Sequence, residues 1–319
     1  MSRISHWFRH AAIGAAMLLA LAAQAAAPQL KTQAPGFHRV LLGDFEVTVL
    51  SDGTVALPVD TLLTRTTKAK TDKALARSFL KAPVETSVNG YLINTGAKLV
   101  LIDAGAGALF GPTLGRLAES LKAAGYQPEQ VDEVYITHMH ADHVGGLMAG
   151  DKRVFPNAVV RADQHDADFW LSPATLEKAP ADMKGFVQGA QASLNPYVAA
   201  GKFKPFSGDT ELVPGIKAVA AHGHTPGHSI FKVQSQGQTL VLWGDLMHVA
   251  AVQFAEPAVT ITFDIDSKAA AVQRRRAYAE AAQRGWLIGA AHLSFPGLGH
   301  LGAEGKGYAF VPLNYSGLK

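Results

Sequence analysis

Apolar and polar positions alternate in short runs along most of this chain. Val40–Leu42 and Phe45–Leu50 flank Gly43-Asp44 and predict two short strands, with Ser51-Asp52-Gly53 as a turn before Val55. Residues 61–82 are rich in Thr, Lys and Ala without a clean period, which reads as a weak helix or a loop. Tyr91–Asn94 and Leu99–Ile102 predict a hairpin around Thr95-Gly96-Ala97-Lys98, and Asp103 ends its second strand. A helix from about Thr113 to Ala124 and a strand through Val134-Tyr135-Ile136 come next, and the polar loop Thr137–His143 leaves the C-terminal end of that strand. Beyond Val144 the pattern gives a strand at Ala158–Arg161, a mostly helical insertion from about Gln164 to Gly201, and further strands at Ile216–Ala220, Ile230–Val233 and Thr239–Trp243. A helix over Lys268–Arg284, a strand at Trp286–Ala290 and a last strand near Tyr308–Val311 complete the succession. No Pro/Ser-rich linker divides it, so a single domain is expected. Leu99–Asp103 and Leu240–Asp245 are both apolar runs that end in an acid, a hint of two similar halves.

The N-terminus departs from this pattern. Arg3 and Arg9 precede an apolar stretch, Ala11–Ala23, and Ala23-Gln24-Ala25 has the small-x-small form of a signal-peptidase site. Residues 1–25 therefore read as a cleaved secretory signal and 26–319 as the mature domain, which predicts a periplasmic or secreted protein. The stretch falls short of the roughly 20 apolar residues a bilayer span needs, so no stable membrane insertion is expected after cleavage.

Charge and composition narrow the chemistry. Lys+Arg 29 less Asp+Glu 26 gives +3, and loss of Arg3 and Arg9 leaves 27 against 26, or +1. With no Lys/Arg cluster interleaved with aromatics, no nucleic-acid partner is expected. Arg274-Arg275-Arg276 lies in an Ala-rich helical pattern and reads as a solvated helix face. Cys is absent whereas His occurs 13 times. That excludes disulfides, Cys-based zinc fingers, iron–sulfur clusters and a Cys nucleophile, and leaves imidazole and carboxylate to hold any metal.

The strongest signal is His138-x-His140-x-Asp142-His143. In an extended segment His138 and His140 point to one side and can share an ion, while a turn into a helix near Asp142 re-aims Asp142 and His143 toward a second position. Three further segments place an imidazole or carboxylate at a predicted strand end, where layered α/β proteins gather their sites: Ala221–His228, Trp243-Gly244-Asp245 and Ala291-His292-Leu293.

These residues, with Gly145-Gly146 behind the first motif and Gly-His-Thr-Pro-Gly-His at 223–228, resemble the metallo-β-lactamase superfamily. The resemblance implies an α/β fold of four layers, an αβ/βα sandwich, holding two divalent metal ions per chain. By it His138, His140 and His224 would hold one ion, Asp142, His143 and His292 the other, and Asp245 would bridge both. Zinc suits such a His-rich set, although manganese, cobalt or iron can occupy N/O ligands equally. The implied nucleophile is a hydroxide bridging the two ions, with Asp142 either ferrying a proton to the leaving group or serving as a ligand alone. Leu41–Phe45, Ser51–Pro58, Phe203–Phe206 and His292–Gly297 extend the likeness to the methyl parathion hydrolase group and its lactonase relatives of the dihydrocoumarin-hydrolase type. That likeness implies a homodimer, and the absence of Cys speaks against the true β-lactamases.

The pocket must choose the substrate. By the same resemblance Phe110, Trp170 and Phe186 line the mouth of the site, which suits a flat aryl group. Leu62, His248, Ile261 and Phe263 stand where the organophosphate hydrolases carry other residues, and the segment near Met183-Lys184 is one residue shorter. Bulky Ile261 and Phe263 would narrow the cavity, and His248, three residues beyond Asp245, is expected to donate a hydrogen bond to a lactone oxygen or leaving phenolate. The expected activity is hydrolysis of small-molecule aryl lactones and esters, with phosphotriesters as a side activity. The rival readings are a phosphotriester hydrolase, a glyoxalase-like thioesterase and a non-catalytic metal-binding protein.

Overall fold

Two sheets follow one another along the chain, each laid down in sequence order. The computed structural model describes residues 27 and 29–318; the signal segment read at residues 1–25 lies outside them. Residues 29–34 carry neither helix nor strand, and the compact body begins at Pro35. The first sheet is β1 (Phe37–Leu42), β2 (Phe45–Leu57), β3 (Val84–Asn94), β4 (Leu99–Ile102), β5 (Glu133–Tyr135) and β6 (Val159–Arg161). The second is β7 (Thr210–Val213), β8 (Ile216–Ala220), β9 (Ser229–Ser235), β10 (Gln238–Leu242), β11 (Leu287–Gly289), β12 (Leu298–Glu304) and β13 (Gly307–Pro312). Pairing is antiparallel except for β4 with β5, β5 with β6, and β10 with β11. The parallel strands close one edge of the first sheet and lie inside the second, and loops at their C-terminal ends carry the polar residues.

Side-chain alternation along single strands builds four layers. In β4, Val100 and Ile102 face the second sheet, where they meet Phe231, Leu240 and Leu242. Leu99 and Leu101 face the other way, toward Leu117, Leu121, Leu194 and Tyr197 of the flanking helices. In β10 the phases reverse: Leu240 and Leu242 enter the sheet interface, and Val241 packs with Tyr278 and Ala281 of the helix Ser267–Arg284. The order is therefore helices, sheet, sheet, helices, the α/β sandwich the motifs implied. Among the described residues no helix is long and apolar enough to cross a membrane.

Three expectations are corrected. Ser51-Asp52-Gly53 is no turn: β2 continues through it with a bulge between Ser51 and Gly53. Buried Asp52 is satisfied there as an acceptor, its carboxylate taking the N–H groups of Ala106, Gly115 and Leu117 at 2.9 Å each. The helix expected from Thr113 spans Leu117–Ala123, because Gly115 takes a left-handed φ of 87°. Arg274 is fully buried: its guanidinium donates to the carbonyls of Leu246, Pro257 and Val259 and approaches Asp264, while Arg275 and Arg276 alone form the solvated face. An Arg flanked by two others in an Ala-rich helix gives no sequence sign of which one turns inward. In the unassigned stretch 61–82, Thr67 caps a helix over Lys68–Arg77, and Leu63–Thr64 pairs with Thr260–Ile261. β12 is a strand that the polar and Gly-rich pattern of 298–304 conceals.

Candidate metal centre

The loop after β5 carries the first four candidate ligands. Thr137 fixes its start, donating its N–H and hydroxyl to the two oxygens of Asp103, each at 2.8 Å. The chain runs extended to His140 and then turns into a one-turn helix, Ala141–Val144, so that Asp142 and His143 group with His292 rather than with His138 and His140. Gly145 and Gly146 allow this because their backbone lies against the loop after β4: a Cβ at Gly146 would stand 1.9 Å from the carbonyl oxygen of Ala104. The remaining ligands come from the loops after β8, β10 and β11.

The seven side chains form two clusters joined by one carboxylate. In the first, His224 Nε2 lies 3.1 Å from His140 Nδ1, while His138 Nε2 and His224 Nε2 lie 3.6 and 3.4 Å from Asp245 Oδ2. In the second, His143 Nε2 and His292 Nε2 are each 3.2 Å from Asp245 Oδ1 and 3.6 and 3.5 Å from Asp142 Oδ2. Ligands about 2.0–2.1 Å from a tetrahedral ion stand roughly 3.3–3.4 Å apart, so these separations suit a cation in each cluster. His138 Nε2, His143 Nε2 and Asp245 Oδ1 are buried without a hydrogen-bond partner, as atoms awaiting such a cation would be. The residues therefore fit a binuclear metal centre.

Four of the five imidazoles are aimed by what their other nitrogen meets, whereas His140 presents Nδ1 to its cluster. His143 Nδ1 lies 2.8 Å from Asp103 Oδ2, His224 Nδ1 2.8 Å from Asp264 Oδ1, His292 Nδ1 3.0 Å from the carbonyl oxygen of Ser87, and His138 Nδ1 3.1 Å from Thr137 Oγ1. Protons on the Nδ1 atoms leave Nε2 free to coordinate. Asp245 is itself positioned: its N–H donates to His228 Nε2 at 3.0 Å, and Gly244 at φ 53° lets Thr137 and His228 approach closely. Asp166 ties two ligand loops together, accepting from the N–H groups of Met139 and Gly227 and from Thr225 Oγ1.

Burial and charge set the protonation states. Burial, reinforced by neighbouring imidazoles, holds His138 and His140 well below the ordinary histidine range, and burial pushes His228 down to about 3. Burial opposes the charged form of His143 too, yet the carboxylates of Asp245, Asp142 and Asp103 outweigh it and hold that ring well above its usual range. His224 rises in the same way to about 9 beside Asp245 and Asp264. Burial would raise Asp245, but the surrounding imidazoles hold it well below the usual carboxylate range. In the metal-free chain protons thus occupy places that cations would take, and cation binding must release them.

Above the ligands lies a cavity of about 30 Å³ walled by Val55, Leu57, Phe110, Phe186, His248 and Phe263. Beside it opens a cleft of about 300 Å³ lined by Trp170, Met183, Phe186, Phe263 and Ile265, with His140 at its base. The structure thus brings Phe110, Trp170, Phe186, His248 and Phe263 to the site. It places Leu62 and Ile261 in a satellite core with Val59, Leu63 and Val259, behind the wall rather than in it, because Ile261 is drawn into the short strand pairing with Leu63. His248 Nε2 sits 3.0 Å from Asp245 Oδ2 without hydrogen-bond alignment, and its ring stacks on His292 at 5.1 Å. Sequence reasoning left Asp103, Asp166, His228 and Asp264 without a role. Asp103 and His228 were marked by the strand-ending acid and by the close of the Gly-His-Thr-Pro-Gly-His motif; Asp166 and Asp264 had no such marker.

Comparison with known proteins agrees with this geometry. A family profile described as "Metallo-beta-lactamase superfamily" matches residues 83–292. Two solved structures superpose over nearly their whole length: a hydrolase, AbOPH, in the beta lactamase superfamily (TM-score 0.85, 36% identity, 90% of this chain and 100% of that one), and AidC, a dizinc quorum-quenching lactonase in complex with a product (TM-score 0.82, 26% identity, 88% and 99%). An N-acyl homoserine lactonase of Bacillus cereus is 28% identical over 130 residues, which is 40% of this chain and 42% of that relative. The chain thus matches less than half the length of this curated relative.

Proposed function

The chain belongs to the metallo-β-lactamase superfamily, and from that premise we propose that it is a metal-dependent hydrolase that opens lactones carrying an apolar acyl or aryl group. The observation behind this reading is the pair of connected spaces, a small cavity over the ligands and a larger apolar cleft beside it, sharing His140, Phe186 and Phe263. The cavity takes the reacting ester group, and the cleft takes its substituent. The aromatic wall leaves little room for the three substituents of a tetrahedral phosphotriester, which is therefore a poor substrate. Zinc is the proposed metal, and on the sequence of residues 1–25 alone we place the enzyme in the periplasm or outside the cell.

Bound in the two clusters, divalent ions supply a water of lowered pKa and polarise the substrate carbonyl oxygen. The side chains do the rest. Asp245 presents one oxygen to each cluster and so fixes their separation. Asp142, the most exposed of the seven ligand side chains at 15%, borders the cavity and can take up the proton of the attacking water and deliver it to the leaving oxygen. His248 lies on the cavity wall, where its imidazole can donate a hydrogen bond to that oxygen. Phe110, Phe186 and Phe263 exclude bulk water.

The metal-loaded enzyme should hydrolyse dihydrocoumarin and N-hexanoyl homoserine lactone faster than p-nitrophenyl acetate, and methyl parathion slowest. Lactone turnover no better than that of the metal-free protein would sink the proposal. His248→Leu should lower dihydrocoumarin turnover relative to methyl parathion, and an unchanged ratio would remove His248 from the reaction.

A further inference from the structure

A third cluster of metal-type ligands lies outside the site described above. Asp163 caps the helix Gln164–Trp170, and its side chain is fully buried. Its Oδ1 accepts the N–H of His165 at 2.8 Å and its Oδ2 that of Gly208 at 3.3 Å. Two imidazoles face the same carboxylate: His165 Nδ1 at 2.8 Å from Oδ1, and His222 Nε2 at 3.6 Å from Oδ2. The two rings stand 4.9 Å apart, and the three ligand atoms all lie within 4.8 Å of one another. None of the three residues lines the cavity or the cleft.

Hydrogen bonding accounts for only part of this arrangement. His165 is satisfied by Asp163, but His222 Nε2 is withdrawn from solvent with no hydrogen-bond partner, although a carboxylate oxygen lies just beyond reach. A buried ring nitrogen aimed at a carboxylate across a gap too wide for a hydrogen bond is what a metal ligand looks like without its ion. His165, 62% exposed, leaves one side open to water, which can complete the coordination.

We propose that Asp163 Oδ2, His165 Nδ1 and His222 Nε2 bind a third divalent transition cation of the zinc class, with water as the remaining ligand. The ion is a strap. It fastens the start of the helix that carries Asp166 and Trp170 to the loop that carries His224, and so stiffens the first metal cluster from outside.

The test is a count of bound zinc in the full-length protein, equilibrated with zinc buffered in the micromolar range and freed of excess ion, for wild type, His165→Ala and the double variant His165→Ala/His222→Gln. Three ions per wild-type chain and two in each variant, with turnover of the best lactone within about twofold of wild type, is the expected result. The single variant alters an exposed side chain, so it keeps the test decisive if the double variant misfolds. Two or fewer ions in the wild type, or three in His165→Ala, overturns the proposal. Neither outcome depends on which substrate the enzyme hydrolyses.

Discussion

The two halves of the molecule reach the same metal centre by different means. The first half delivers four candidate ligands from one hexapeptide, His138–His143, and holds it with two carboxylates, Asp103 and Asp166. The second half delivers three candidate ligands from three separate loops, each aimed by its own partner: His224 by Asp264, Asp245 by His228, His292 by the carbonyl of Ser87. One of these braces belongs to the first sheet. Ser87 and Asn89 of β3 hold the His292 loop, Asn89 Nδ2 donating to the carbonyl of Leu293 at 2.7 Å. A dense ligand set is stiffened by its own backbone, whereas a dispersed one needs a brace at every member and borrows some from the opposite sheet.

Asp245 is where the halves meet, so its loss breaks the comparison most sharply. Asp245→Ala should remove the oxygen facing each cluster at once, lowering bound metal below one ion per chain and kcat/KM by roughly 10³-fold or more, since several kcal/mol of charge stabilisation disappears. Metal content measured beside turnover checks this, and a variant that keeps two ions refutes the bridging assignment. The braces come next. Asp103→Asn and Asp264→Asn should each weaken metal affinity by roughly 10–100-fold, the first most at the Asp142/His143/His292 cluster, where Asp103 meets His143 directly and reaches His138 only through Thr137, and the second at the His138/His140/His224 cluster. Asn is the apt replacement at Asp103, whose φ of 60° is a conformation Asn tolerates. Competition with a chromophoric chelator resolves the two affinities, and equal weakening of both ions in either variant would mean the two clusters are braced in common.

His228 separates the halves by pH. Its nitrogen accepts the Asp245 N–H, which requires a neutral ring, and burial holds its pKa at about 3 against 6.5 in an unfolded chain. For a base depressed in the fold, the stabilisation is complete above the unfolded value and is lost as pH falls from about 6.5 toward about 3. Between pH 7 and pH 5 the loss from this group is about 2 kcal/mol. Urea unfolding of chelator-treated wild type and His228→Gln should therefore show the variant losing less stability over that interval. Parallel pH profiles would show that His228 is not the group being charged.

The same contrast decides what could be read from the sequence. His138–His143 was legible because its ligands are adjacent and the two periodicities, strand then helix turn, separate them into two sets. His224, Asp245 and His292 were legible only as strand ends in series behind it. Their braces were harder: Asp264 and Asp166 lie about 40 and 27 positions from the groups they hold and look like ordinary surface acids. Arg274 was misread for the same reason, since its burial depends on where three distant carbonyls happen to face it. Asp52 read as a turn because a bulge and a turn use the same residues. The continuous apolar runs that marked β4 and β10 placed a strand in each sheet, and β12 escaped because glycines and polar residues break its run.

The substrate wall is sewn from both halves and should give the smallest effects. Phe186 comes from the helix Ala181–Ala199 after the first sheet, and Phe263 from the segment between β10 and the helix Ser267–Arg284. Neither touches a reacting atom in the proposed arrangement, so truncation removes binding that substrate and transition state share. Phe186→Ala and Phe263→Ala should each cost about 1–2 kcal/mol, a roughly 5–30-fold rise in KM for a lactone with a long apolar substituent and little change in kcat. A lactone without a substituent should feel Phe263→Ala less, because it meets that ring only at the small cavity and not along the cleft. Phe186→Ala should be felt slightly by both substrates, since that ring also packs on His140 at 5.5 Å and helps hold a ligand in place. Steady-state kinetics on the two lactones distinguish the cases: a fall in kcat for both substrates in both variants would show that the wall positions the metal ligands rather than the substrate.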